Sequence, residues 1–356
     1  METSFFAQWK ASLLEQPPDP SVLYFLGKEF LRLGRYASAG RYLNRSLCFD
    51  PSQKETHRLL NEILVELDPA FHFPQKLGSF LCCDSQGNYV ATGGSGKDPI
   101  ILWDFWERKA LKSFPNPGGF IRAMSFSPCG QFLAVGGNDH QVRVLSLYSP
   151  DAELRVVGSH EDFVISLGFN ATHLFSAGQD GRVLRFALGK GGEIGGAEEV
   201  FRHPLFNALS VQGDFLYLAG HGIYRGEQTE LRFEILPQSS QSLFFCVDSF
   251  KEGILAGEGD SSRESHLRYL WVFHQELFKI PAHSAMIKSV QVNRNQRYIL
   301  SSAFDGTTKL FDFQQRREIA VYPALMTGMS RFHPNADVFI HFGEHGDLEV
   351  HPLPME

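Results

Sequence analysis

The spacing of apolar residues changes near residue 68. Before that point they recur every three or four positions, and after it they alternate or form short blocks broken by turns. Within Ser4–Gln16, Phe5, Phe6, Trp9 and Leu13 fall at helical spacing, and Pro17, Pro18 and Pro20 stop the run. Val22, Leu23, Phe25, Leu26, Phe30 and Leu33 predict a helix over Ser21–Leu33, ended by Gly34. A further helix is expected from Tyr36 to Phe49, closed by Asp50-Pro51. Ser52 with Glu55 has the spacing of a capping box and starts another, striped by Leu59, Leu60, Ile63, Leu64 and Leu67.

Inside Leu23–Pro51 the small residues Gly27 and Ala39 would let two antiparallel helices approach. Leu23, Phe30, Tyr36 and Leu43 would fill the space beside them. With Gly34 and Pro51 in place, this segment resembles a tetratricopeptide repeat, departing from the pattern at Ser46. The resemblance covers one repeat and implies a helical domain over residues 1–68, its flanking helices serving as packing partners.

Residues 69–356 read as strands with a period near 40. The units beginning at Phe120 and Met286 share an alternating strand, a turn and a buried strand ending in small residues. An Asp-containing turn and a third strand follow. Trp103-Asp104, Phe311-Asp312 and Trp271-Val272 occupy equivalent places, and this part of the chain resembles the WD-repeat β-propellers. In that family a turn Asp orients a His that reaches a strand Ser and then an aromatic residue. The resemblance places His283, Ser301, Asp305 and Phe311 in these roles in the sixth unit, and His160, Ser176, Asp180 and Phe186 in the third. A buried polar trio recurring once per blade is structural, not a catalytic triad. The second unit lacks the His, the fourth lacks the turn Asp and the Trp-Asp pair, and the fifth carries an insertion at Glu258–His266.

Unit starts near Leu77, Phe120, Phe163, Leu205, Leu243, Met286 and Met326 give seven blades. The last has only three strands, so the stretch Phe71–Lys76 is expected to supply the fourth. The expected architecture is mainly β: a seven-bladed propeller over 69–356, closed by a strand from each end and preceded by a small all-α domain. Closure removes edges that would invite aggregation. With only Asp68-Pro69 as linker, the helices should pack on the propeller.

Composition adds exclusions. The net charge of −7 leaves no broad basic footprint for nucleic acid. No apolar run is long enough to span a bilayer. Met1–Lys10 lacks the basic-then-apolar pattern of a secretory leader. Cys48, Cys82, Cys83, Cys129 and Cys246 form no metal-type pairs and read as free thiols, so a reducing, cytoplasmic location is expected.

Candidate chemistry is sparse. The glycines of 189–196 lack the Gly-Lys-Ser/Thr end of a phosphate loop, and no Gly-x-Ser-x-Gly elbow occurs. His333, His341, His345 and His351 crowd the last unit. A metal would need them to converge with a carboxylate such as Glu344 or Asp347, and His341 and His345 flank a turn, so no metal or cofactor is expected. In WD-repeat propellers the residue opening the innermost strand lies near the channel on the narrower face. The resemblance therefore places Phe120, Phe163, Leu205, Met286 and Met326, with Leu77 and Leu243, in an apolar ring. The reading is a non-enzymatic scaffold or adaptor that binds a protein or peptide there, with the helices as a second contact module. No nucleic acid or membrane partner is expected. The rival is a propeller hydrolase or lyase, which would need acids or histidines at the channel.

Overall fold

The computed structural model describes residues 19–67, 70–71, 80–94, 96, 98–116, 118–147, 153–189, 193–203, 206–227, 232–251, 253–259, 267–274 and 276–354. The helix expected over Ser4–Gln16 lies outside them, as do the unit starts Leu77 and Leu205 and most of the fifth-unit insertion.

Three helices open the described chain: α1 (Pro20–Arg32), α2 (Tyr36–Phe49) and α3 (Lys54–Glu66). Asp19 caps α1 by accepting from the Ser21 N–H, and Pro20 takes the first turn, where a missing N–H costs nothing. Gly34, at φ +68°, turns the chain into α2. The close approach expected at Gly27 is real. A Cβ there would lie 2.5 Å from Leu43 Cγ, so no larger residue fits between α1 and α2. Ser46 earns its departure from an apolar residue by donating to the Pro20 carbonyl at 2.7 Å. The capping box does not form. Asp50 captures both the Ser52 N–H (3.0 Å) and its hydroxyl (2.6 Å) in a local turn. Helix α3 therefore starts two residues later, and Glu55 pairs with Arg58 instead.

Seven four-stranded antiparallel sheets follow, six of them in sequence order from the inner strand outward. Blades 1 to 6 span residues 80–114, 121–159, 164–202, 206–235, 244–283 and 287–323. Blade 7 takes three strands from 330–352, and Ala70–Phe71 completes it, pairing Ala70 with Glu349 and Phe71 with Leu348. The ring is thus closed by strands from both ends of the domain. The closing strand begins one residue earlier than expected, and 72–76 lie outside the described residues.

The second strand of each blade is almost wholly buried, and its small residues have a reason. A Cβ at Gly136 would lie 2.5 Å from Val164 Cγ1, and one at Gly257 2.7 Å from Ile287 Cγ2. In both cases the obstacle opens the inner strand of the next blade. The small residue is what lets neighbouring blades interleave.

The helices dock on blades 1 and 7, at the end formed by the loops after each blade's first and third strands. Leu43, Leu47, Leu59, Leu60 and Ile63 share one core with Phe105, Trp106, Val338 and Ile340. Arg41 pairs with the buried Asp104, whose other oxygen accepts the N–H groups of Trp106 (3.0 Å) and Glu107 (2.9 Å). Asn335 donates to Asn44 at 2.9 Å, and Asn61 to Asp337 at 3.2 Å. His333 is buried here. Its Nε2–H donates to the Gly87 carbonyl at 2.8 Å, and its Nδ1 accepts from Ala336 at 2.9 Å. Burial pushes its pKa down to about 4, so the ring is neutral.

Candidate interaction face at the channel mouth

The polar trios form within the sheets. His160 Nδ1 donates to Asp180 at 3.0 Å, and the Ser176 hydroxyl donates to His160 Nε2 at 2.8 Å. In blade 6 the corresponding distances are 2.9 Å (His283–Asp305) and 2.8 Å (Ser301–His283). Burial alone would raise the Asp180 pKa. N–H donors from Arg182 and Glu161, the Arg182 side chain and His160 outweigh it and bring the carboxyl down to about 2. The aromatic members, Phe186 and Phe311, are fully buried but carry no N–H, so the chain of hydrogen bonds ends at the serine. In blade 1 the Trp103 indole does reach the second strand, donating to Thr92 at 2.8 Å. Blade 5 substitutes Glu258, which accepts from Trp271 at 2.7 Å.

We propose that the trios are structural. Asp305→Ala removes the carboxylate that accepts from His283 and from the Ser284 N–H, leaving His283 Nδ1 only the Thr307 hydroxyl at 3.2 Å. The expected loss is about 1–3 kcal/mol of stability, read from urea unfolding, with the channel face intact. A variant as stable as the parent would refute the structural role.

Four of the opening residues keep a shared register, whereas Met326 lies four residues before the first strand of blade 7, Ser330–Phe332, and Met329 takes the opening place instead. The carbonyls of Phe120, Phe163, Leu243 and Met286 each accept an N–H from the following turn: Asn138 (3.0 Å), Gln179 (2.8 Å), Gly259 (2.8 Å) and Phe304 (3.0 Å). Phe120 is 54% exposed and Met326 57%, whereas Phe163 and Met286 are half-buried. The Phe163 ring lies under the Arg122 guanidinium at 4.7 Å and beside His140 at 5.6 Å. Leu205 lies outside the described residues.

What strand alternation did not disclose is a bulge repeated in five blades. The ladder between the first two strands slips at 121/123, 164/166, 206/208, 244/246 and 287/289. The skipped residues are Arg122, Ile165, Asn207, Phe245 and Lys288, and all five line a 510 Å³ cavity at the channel mouth. A bulge re-aims a side chain, and here it aims one per blade at the same opening. Arg331 joins them from blade 7. Burial and the neighbouring Arg331 charge lower the Lys288 pKa to about 7. Among the described residues lining this cavity there is no carboxylate and no histidine. Cys246 lies here too, and burial pushes its pKa up to about 12, which makes it a poor nucleophile. A second cavity, of 690 Å³, opens at the helix-bearing end and shares Met124, Leu167 and Arg331 with the first.

The architecture is that of a seven-bladed β-propeller. Residues 108–146 and 274–312 each match the family model "WD domain, G-beta repeat". Both matches begin near the outer strand of one blade and run through three strands of the next, so the sequence repeat is offset from the blade and links neighbours. One falls on blade 6, which has the full trio, and the other on blade 2, which lacks the His. The chain thus carries WD repeats on a seven-bladed β-propeller. Its fold is similar to the crystal structure of the β-propeller domain of Myceliophteria thermophila Cps50 (Swd1), with a TM-score of 0.63 and 11% identity over 79% of this chain and 99% of that one. It is also similar to the computationally designed protein Ika8, with a TM-score of 0.53 and 18% identity over 75% and 81% of the two chains. At these identities the likeness concerns the fold. No helix among the described residues is long and apolar enough to cross a membrane.

Proposed function

We propose that the chain is a non-enzymatic interaction scaffold that binds a peptide segment of a partner protein at the channel mouth opposite the helices. The observation that carries this reading is the composition of the mouth. Exposed Phe120 lies at the rim with Met329 beside the opening, and Arg122, Lys288 and Arg331 line the cavity with no described carboxylate among them. Lys288 and Arg331 repel one another, and an anionic group between them relieves that repulsion. The fitting partner is a segment with an acidic side chain flanked by apolar ones. The lack of acids and histidines disfavours the hydrolase or lyase alternative, since neither general acid nor general base is at hand.

The helical unit is proposed as a second contact module of tetratricopeptide type, supported by the α1–α2 packing and by Phe25 and Leu33 standing exposed on that unit. The domain division at residue 68 and the cytoplasmic location belong to the same proposal.

Affinity purification with mass spectrometry, comparing parent and variants, identifies partners, and fluorescence anisotropy with partner-derived peptides quantifies them. Phe120→Ala should weaken binding by about 2 kcal/mol and change folding stability by less than about 0.5 kcal/mol, because the ring is exposed in the free protein. Lys288→Met should remove the preference for acidic over amidated peptides. Partners retained in full by both variants would place the binding surface elsewhere.

A further inference from the structure

The histidines of blade 7 converge in a way that strand order alone did not suggest. His341 lies on the strand Val338–Phe342, and His351 and Glu349 on the adjacent strand Leu348–Pro352. His341 is the register partner of Glu349, and His351 is two residues further along, so all three share one face of the sheet. Glu344 and Asp347, the carboxylates that the spacing brought to mind, sit in the connecting turn, and His345 is exposed there. His333 belongs to the helix-docking end. The partner carboxylate is Glu349.

The three donor atoms form a small triangle. His341 Nε2 is 3.3 Å from Glu349 Oε2, His351 Nε2 is 2.9 Å from the same oxygen, and the two Nε2 atoms are 3.1 Å apart. A metal with ligand bonds of about 2.0–2.1 Å holds neighbouring donors roughly 3 Å apart, so one ion can reach all three. Without an ion the arrangement is poor: two imidazole nitrogens face each other and compete for one carboxylate oxygen.

We propose that His341, Glu349 and His351 form a zinc-binding site. Two imidazoles and a carboxylate are a zinc donor set that leaves a fourth position for water. His341 is fully buried, while Glu349 and His351 are partly exposed, so the open position faces solvent. His341 Nδ1 has no hydrogen-bond partner. Its ring is held instead by aromatic packing, with Phe339 at 5.7 Å and Tyr322 of blade 6 at 6.0 Å. His351 stacks on Phe339 at 5.2 Å and meets Tyr322 at 4.7 Å. Because Glu349 also pairs with Ala70, the ion would cross-link two strands of the blade that closes the ring, beside the strand that closes it.

The test uses the full chain, stripped of metal by chelator, with Zn²⁺ as the probe. Isothermal titration should show one saturable site, and Zn²⁺ should raise the melting temperature reversibly. Co²⁺ in its place should give the visible absorption of a four-coordinate N/O site. His351→Gln and Glu349→Gln alter partly exposed side chains and keep the fold. Each should weaken Zn²⁺ binding by about 100-fold or more and abolish the thermal shift. His173→Gln, at a histidine outside the cluster, should bind as the parent does. Absence of saturable binding, or binding that both cluster variants retain, overturns the site. Preferential retention of iron over zinc overturns the assignment of the ion.

Discussion

Trp106→Ala will cost about 3–5 kcal/mol, the range for a large side chain removed from a packed interior. Trp106 is fully buried although it follows the third strand of blade 1 in a turn, because the helical unit covers it. Its ring fills the space above Gly40, where a Cβ would lie 2.3 Å from Cε3, and it packs edge-on against Phe105 at 5.0 Å and His333 at 5.6 Å. The indole N–H has no hydrogen-bond partner, so the residue is there for its area. Trp106→Phe should therefore lose much less than the alanine variant, since it also removes an unpaired buried donor. The same interface carries a pH dependence. An unfolded histidine titrates near 6.5, whereas His333 in place titrates near 4. Its folded pKa is depressed, so below about 6.5 the unfolded state binds the extra proton. Stability contributed by the neutral ring is then lost as pH falls towards 4. Urea unfolding at pH 7.5 and 5 should show that loss in the parent and a smaller one in His333→Asn. An alanine variant within 1 kcal/mol of the parent would mean that the helices are not held through Trp106.

Much of this fold was legible because its units repeat. The period near 40 gave seven blades, and the shortage of one strand in the last unit pointed to closure from the N-terminal side. Gly27 and Ala39 were legible as a close helix approach because only small residues suit it. The misreadings share a cause, namely competition that a linear pattern does not show. Ser52 had the spacing of a cap, but Asp50, two residues earlier, captures it first. Strict alternation sends every second side chain to one face, and a bulge breaks that rule without a mark in the sequence. Arg122 and Lys288 were therefore not assigned to the channel, though each stands two residues after a ring member. Glu349 was passed over in favour of turn carboxylates because nearness along the chain was taken for nearness in space. Cross-strand register, not sequence distance, pairs it with His341.

Truncations that differ only in the closing strand will separate the two duties of the N-terminal region. Removing residues 1–67 deletes α1 to α3 and keeps Ala70–Phe71. The propeller should remain closed, but Trp106 and Phe105 become exposed, so it should be monomeric, less stable and prone to bind apolar dyes. Removing residues 1–79 also deletes the closing strand. The strand Leu348–Pro352 then loses the partner that pairs with Leu348 and Glu349 and becomes the outer edge of a three-stranded sheet. An unpaired edge with alternating apolar residues is a template for another chain. This truncation should therefore elute as oligomers in size-exclusion chromatography with light scattering. Adding a synthetic peptide of residues 68–79 should restore monomer, because it supplies the missing hydrogen bonds without the helices. Loss of helices alone cannot explain a difference between the two truncations, since both lack them. If the shorter fragment is as soluble and monomeric as the longer one, the ring does not depend on Ala70–Phe71 for closure. Blade 7 would then hold its place with three strands, through its packing against blades 6 and 1.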